Sequence, residues 1–209
     1  KFNHKSFLKI KWKKSMYNQS MLKENSFKNK SFIVTGGGSG LGKSMTSYLL
    51  QLGANVIIVS RDEEKLINAT DLLRENCNSN NQITYKVCDV KDSNMIKNVI
   101  DSSFSEFNHI DGIVNNAAGN FISPTENLSP NAFSSIIDIV LKGTCAFSLL
   151  YGKKCIAANL KGKIVNIITT YAFTGSAYVV PSAAAKGGVL SLTRSLAAEW
   201  SKYKIYSNA

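Results

Sequence analysis

Apolar residues along this chain fall into short β-branched runs that alternate with longer stretches of helical periodicity. Phe32-Ile33-Val34 is a short apolar run stopped by glycines, which predicts a buried strand. From about Gly40, the residues Leu41, Met45, Tyr48, Leu49 and Leu52 recur at helical spacing, and Gly53 ends the helix. Val56 to Val59 predicts a second strand, and Asp62 to Asn76 a helix with Leu66, Ile67, Leu72 and Leu73 turned inward. Ile83 to Val87 reads as a third strand, and Asp92 caps a helix carrying Met95, Ile96, Val99, Ile100 and Phe104. Ile110 to Val114 leads into a fourth strand. A long helical region runs from Pro130 to about Asn159, and Ile164 to Ile168 gives a fifth strand. Pro181 opens a last helix through Trp200, proline being preorganised for a first helical turn. Val- and Ile-rich strands, each followed by a helix, predict an α/β fold with a doubly wound parallel sheet covered on both faces.

The 209 residues suit one well-buried α/β domain. The formal charge of +11 raises the question of nucleic acid, but its distribution answers it. Residues 1–30 hold nine lysines against Glu24 alone, so eight of the eleven net charges sit there and the body is close to neutral. Residues 1–26 read as a basic leader, either the remnant of an organellar transit peptide or a solvated lysine-rich tail. The body, residues 27–209, is expected to bind neither nucleic acid nor membrane, its apolar stretches being strand-sized. Cys77, Cys88, Cys145 and Cys155 lack C-x-x-C spacing, and His4 and His109 are the only histidines, so no metal site is expected. The last residues, Lys204 to Ala209, read as a strand just beginning, and a missing C-terminal part is the expectation.

The chemistry begins at Thr35-Gly36-Gly37-Gly38-Ser39-Gly40-Leu41-Gly42, between the first strand and the first helix. A glycine turn there lets backbone approach a cofactor pyrophosphate, and the helix N-terminus offers free N–H groups and a positive dipole end. This is a Rossmann-type dinucleotide site in strand–turn–helix context. The second strand ends Val59-Ser60-Arg61-Asp62; a basic residue at this place pairs with a 2′-phosphate, so Arg61 favours NADPH, while Asp62 either opposes that preference or starts the next helix. Cys88-Asp89-Val90 follows the third strand where adenine should lie. Asn115-Asn116-Ala117-Ala118-Gly119 follows the fourth, at the carboxyl ends of the strands.

The glycine loop, Asp89-Val90, Asn115 to Gly119 and Lys186 together resemble the short-chain dehydrogenase/reductase family from about residue 27 onward. Most members carry Tyr-x-x-x-Lys, with the lysine lowering the pKa of a phenol that protonates a carbonyl. Here Ser182 stands four residues before Lys186, Tyr178 lies eight before it, Thr169 takes the place of the usual serine, and Val140 that of a catalytic asparagine. The stretches Asn116 to Glu126 and Thr174 to Ala183 are similar to the mitochondrial 2,4-dienoyl-CoA reductases, in which serine replaces that tyrosine and a displaced tyrosine works with an asparagine.

The resemblance implies the following roles. Tyr171 and Asn120 hold the thioester oxyanion, Lys186 binds the nicotinamide ribose, and Ser182 joins their polar network. Gly36, Gly37, Gly38, Ser39, Gly40, Leu41, Ser60, Arg61, Asp89 and Lys186 contact NADPH. Arg61, Lys91, Phe121 and Ser129 touch the acyl-CoA. Tyr171 could instead close the strand as a core aromatic, Asn120 cap a turn, and Phe121 belong to the core. A homotetramer in the mitochondrial matrix, or in the peroxisome, completes the expectation. A generic carbonyl reductase using Tyr178 or Tyr171, and an inactive cofactor-binding fragment of poor stability, are the competing readings.

Overall fold

The computed structural model describes residues 21–75 and 82–209; Cys77, His4 and most of the basic leader lie outside them. Val- and Ile-rich runs form β1 (Ser31–Thr35), β2 (Asn55–Ser60), β3 (Ile83–Val87), β4 (Gly112–Asn115), β5 (Gly162–Asn166) and β6 (Ile205–Asn208). They make one parallel sheet in the order β3-β2-β1-β4-β5-β6. The order reverses between β1 and β4, so a crevice opens at their carboxyl ends, where open α/β sheets bind ligands.

Side chains alternate across the strands and build a core on each face. On one face Val34, Val56 and Ile58 pack with Leu50 of α1 (Gly40–Gln51) and with Leu66 and Leu73 of α2 (Glu63–Arg74). On the other, Ile33, Ile57 and Val59 meet α3 (Ser93–Phe107), α5 (Gly143–Ala157) and α7 (Val180–Trp200) through Ile100, Phe104, Phe147 and Trp200. α5 and α7 come close because residue 152 is glycine: a Cβ there would lie 2.2 Å from Trp200 Cζ3. The doubly wound α/β architecture expected from the strand–helix alternation is thus present.

Some details differ from the sequence pattern. In α2 the buried residues are Leu66, Ala69, Thr70 and Leu73, whereas Ile67 and Leu72 are exposed. They stand one residue off a stripe that repeats at three and four, about 100° around the helix. α1 buries Gly42, Thr46 and Leu50 rather than the row containing Leu41 and Tyr48. The long region from Pro130 is not one regular helix: α4 (Pro130–Ile137) passes through a π turn at Asp138–Lys142 into α5. By length and composition alone, Pro130–Ala157 is apolar enough to cross a membrane, with mean hydropathy 1.6. This corrects the expectation of strand-sized apolar runs only; part of that stretch, including Phe147, Tyr151 and Cys155, is a core face against the sheet. β5 ends at Asn166, two residues earlier than its apolar run, which frees Ile167 and Ile168 to lead toward the site. The chain's last residues do form a strand, β6, paired with β5.

Candidate functional site

Chain geometry at the end of β1 demands glycine. Gly36 turns at φ +66° and Gly40 at φ +49°, in the left-handed region that L side chains rarely adopt. Gly42 is glycine for space: a Cβ on it would sit 2.1 Å from the carbonyl oxygen of Gly36 and 2.6 Å from Asn116 Nδ2. The turn is therefore folded directly onto the start of α1. Ser39 caps that helix without a side-chain bond, so its first-turn amides are offered outward. Beside them opens a cleft of about 440 Å³ lined by Gly36, Ser39, Gly40, Leu41, Ser60, Arg61 and Asp89, seven of the residues singled out in the sequence. Leu41 is 71% exposed because it faces this cleft rather than the core. Gly37 and Gly38 lie outside the lining: Gly37 packs under Ile58 of β2, and Gly38 faces α2.

At the end of β2 the ambiguous acid has a structural role. Asp62 is the N-cap of α2, its Oδ1 accepting from the Lys65 amide at 3.1 Å and its Oδ2 pairing with Lys65 Nζ at 2.6 Å. Lys65 holds the Asp62 carboxyl below the ordinary carboxylate range. Ser60 Oγ accepts from the Asp62 amide at 3.3 Å. Arg61 lines the cleft and is exposed. Across the cleft Asp89 Oδ1 accepts from the Lys91 amide at 3.0 Å, and the Lys91 ammonium lies 3.6 Å from Asp89 Oδ2, beside the cleft wall.

Sequence reasoning missed the polar lattice that fixes the floor. Thr35 Oγ1 accepts from the amides of Asn116 and Ala117 at 3.0 and 2.9 Å, and Asn116 Nδ2 donates to the Thr35 carbonyl at 3.1 Å. These bonds lock the segment after β4 onto the glycine turn. Deeper, Asn115 Nδ2 donates to Asn166 Oδ1 at 2.8 Å and to Ser148 Oγ at 3.0 Å, and Asn166 Nδ2 donates to Thr193 Oγ1 at 2.8 Å. A signal was available: β4 and β5 are apolar runs that both end in asparagine, and parallel register sets Asn115 opposite Asn166.

Tyr171, Ser182 and Lys186 come together at the carboxyl end of β5. Tyr171 opens the short helix α6 (Tyr171–Thr174), which folds back on α7 so that its phenol oxygen stands 3.0 Å from Ser182 Oγ. Lys186 follows Ser182 by one helical turn on the same face. It is 5% exposed and donates to the carbonyl of Ile167. Val140, in the π turn, packs with Ala185 and Val189, so this side of the site is apolar. Burial pushes the Lys186 ammonium down to about 8. Thr169 Oγ1 is buried without a hydrogen-bond partner.

The other candidates sit on the rim. Asn120 and Phe121 are exposed in the loop after β4, and among the described residues Asn120 makes no hydrogen bond to Tyr171, Ser182 or Lys186. Phe121 is 47% exposed, not core. Ser129 caps α4, its Oγ accepting from the Ala132 amide at 3.1 Å. Tyr178 is 57% exposed at φ +64°, and its carbonyl accepts from the Ser123 amide at 3.0 Å, tying the two rim loops together.

The buried lysine yields a test. Below pH 8 both folded and unfolded chains carry the proton, and the fold bears the full desolvation cost. Between about 8 and 10.5 the folded lysine releases it while the unfolded chain keeps it, so the cost is relieved as pH rises. Relative to a Lys186→Met variant, the cofactor-free protein gains stability across that window, by up to about 3 kcal/mol. Burial raises the pKa of Cys88 and Cys155, which act in the opposite sense but in both proteins, so urea melts of the pair at pH 7 and 10.5 isolate the lysine. A constant difference would show that Lys186 stays charged throughout.

The model of a family described as short chain dehydrogenase matches residues 30–209, from the start of β1 to the end of the chain. The chain belongs to the short-chain dehydrogenase family. A probable 2,4-dienoyl-CoA reductase 3 of Caenorhabditis elegans, named as (3E)-enoyl-CoA-producing, is 41% identical over 198 residues, covering 92% of this chain and 62% of its own length. A probable 2,4-dienoyl-CoA reductase of Bacillus subtilis, named as (2E)-enoyl-CoA-producing, is 41% identical over 181 residues, covering 86% and 70%. The crystal structure of a short chain dehydrogenase from Bacillus anthracis superposes with a TM-score of 0.82 at 43% identity, covering 87% of this chain and 74% of that one. The chain spans about three fifths of the length of its first curated relatives. At the turn before Lys186, α7 presents Ser182, and the phenol hydrogen-bonded to it comes from α6.

Proposed function

We propose that this short-chain dehydrogenase is an NADPH-dependent reductase of 2,4-dienoyl-CoA thioesters, acting in the β-oxidation of unsaturated fatty acids. The observation that carries the reading is the Tyr171–Ser182 hydrogen bond one turn before Lys186. The residues present fit a dinucleotide: Gly36 and Gly42 let the turn fold onto the start of α1 where a Cβ would clash, the α1 amides are uncapped by side chains, and Arg61 borders the cleft. When bound, NADPH supplies a hydride to the far end of the conjugated chain.

The protein's part is to hold charge. As the far carbon accepts the hydride, electrons move to the thioester oxygen, and donors aimed at that oxygen stabilise the transition state. Ser182 can donate its single proton to the Tyr171 oxygen, which leaves the Tyr171 O–H free to donate to the substrate oxygen. Asn120, on the exposed rim, supplies the second donor once substrate covers it. Lys186 and Ser182 orient the nicotinamide ribose. Arg61, Lys91, Phe121 and Ser129 contact the CoA. The dienolate then takes a proton from solvent at the carbon next to the thioester, giving a 3-enoyl-CoA; protonation two carbons further on gives the 2-enoyl isomer.

Purified full-length protein should consume NADPH only when a 2,4-dienoyl-CoA is present, with the 3-enoyl product found by mass spectrometry and NMR. Reduction of simple ketones without dienoyl-CoA turnover would replace this reading with a carbonyl reductase. The same reading carries a homotetramer, testable by light scattering, and a mitochondrial matrix location, with the peroxisome as the alternative that organelle fractionation would reveal.

A further inference from the structure

Four charged side chains line the cleft, and they cancel: Arg61 and Lys65 against Asp62 and Asp89. A 2′-phosphate brings further negative charge to a place where Asp62 already stands next to Arg61. Asp62 is not free, however. Its Oδ1 is engaged by the Lys65 amide and its Oδ2 by the Lys65 ammonium at 2.6 Å. The Lys65 side chain is 71% exposed and lines the same cleft as Ser60 and Arg61, so its ammonium can be shared with a second anion without leaving the helix. The capping bond uses only the backbone amide, so the side chain is not needed to start α2.

Resting on the NADPH reading above, we infer that Lys65 is a specificity-determining residue: it neutralises Asp62 and supplies the second cationic contact to the cofactor 2′-phosphate beside Arg61. In the free protein its ammonium rests on Asp62. When a 2′-phosphorylated ribose enters, the ammonium bridges carboxylate and phosphate. This converts a carboxylate that would repel the phosphate into part of its binding site.

The experiment measures dissociation constants of the full-length protein for NADPH, NADH, 2′,5′-ADP and 5′-AMP by calorimetry. The Lys65→Gln variant should weaken NADPH and 2′,5′-ADP by roughly tenfold, while NADH and 5′-AMP stay within about twofold. Adding Asp62→Asn to Lys65→Gln should recover part of the loss, because the unneutralised carboxylate is gone and asparagine still caps the helix. An unchanged NADPH-to-NADH ratio in Lys65→Gln, with the ratio abolished in Arg61→Gln, would assign discrimination to Arg61 alone and overturn the inference. Wild-type protein that prefers NADH would overturn the NADPH reading itself, and this inference with it.

Discussion

Replacing Tyr171 by Phe is expected to lower kcat for a 2,4-dienoyl-CoA by roughly 10²–10³-fold, the loss associated with one oxyanion donor. NADPH affinity should be unchanged, since the phenol touches Ser182 rather than the glycine turn. The substitution removes one oxygen from a half-buried side chain outside the core clusters, so the fold should survive. Ser182→Ala should cost less, about tenfold, because the Tyr171 hydroxyl remains but loses the group that orients its proton. The pattern separates two chemistries. An enolate-stabilising site loses kcat with KM nearly intact when Tyr171 changes, since the charge is absent from the bound substrate and develops on the way to the dienolate. A carbonyl reductase working through Tyr178 would barely respond. Full activity in Tyr171→Phe would remove the phenol from the mechanism.

Legibility of the sequence tracked the range of the forces involved. Most of the strands were readable because they are short runs rich in Val and Ile, and parallel order follows from the intervening helices. Capping residues such as Asp92 and the opening Pro181 were readable because they act within one turn. Which flank of an amphipathic helix faces inward was harder: Ile67 and Leu72 are as apolar as Leu66 and Leu73, and only the sheet decides between them. At the cleft, the left-handed turns at Gly36 and Gly40 and the place of Arg61 at the end of β2 were legible because they depend on local backbone and strand ends, whereas Gly37 and Gly38 pack away from the lining. The approach of Tyr171 to Ser182 was not readable from spacing, since the two stand eleven positions apart with a left-handed Tyr178 between them. The Asn115–Asn166–Thr193 lattice joins two strands and a helix, and only the sheet register brings its members together.

Gly42→Ala is expected to weaken NADPH binding by 100-fold or more, the penalty of misplacing a binding group by about an ångström. It should also lower Tm by roughly 2–12 °C, the effect of an overpacking cost of about 1–3 kcal/mol in a chain of this length. The new methyl would lie 2.1 Å from the Gly36 carbonyl oxygen, and neither side can yield cheaply. The Gly36 amide is tied to the Val59 carbonyl at 2.7 Å, and Asn116 Nδ2 is held on the Thr35 carbonyl at 3.1 Å. The start of α1 must therefore retreat, carrying its first-turn amides away from the pyrophosphate position. Gly38→Ala is the control: its φ is not left-handed, and its Cβ would meet nothing nearer than 3.6 Å, in ordinary contact with α2. It should bind NADPH within about twofold of wild type. Calorimetric titration and thermal melts of the two variants check the pair. Equal losses in both would mean that glycine flexibility throughout the loop matters. A loss confined to Gly42→Ala would mean that the close approach of helix to turn is what creates the phosphate site.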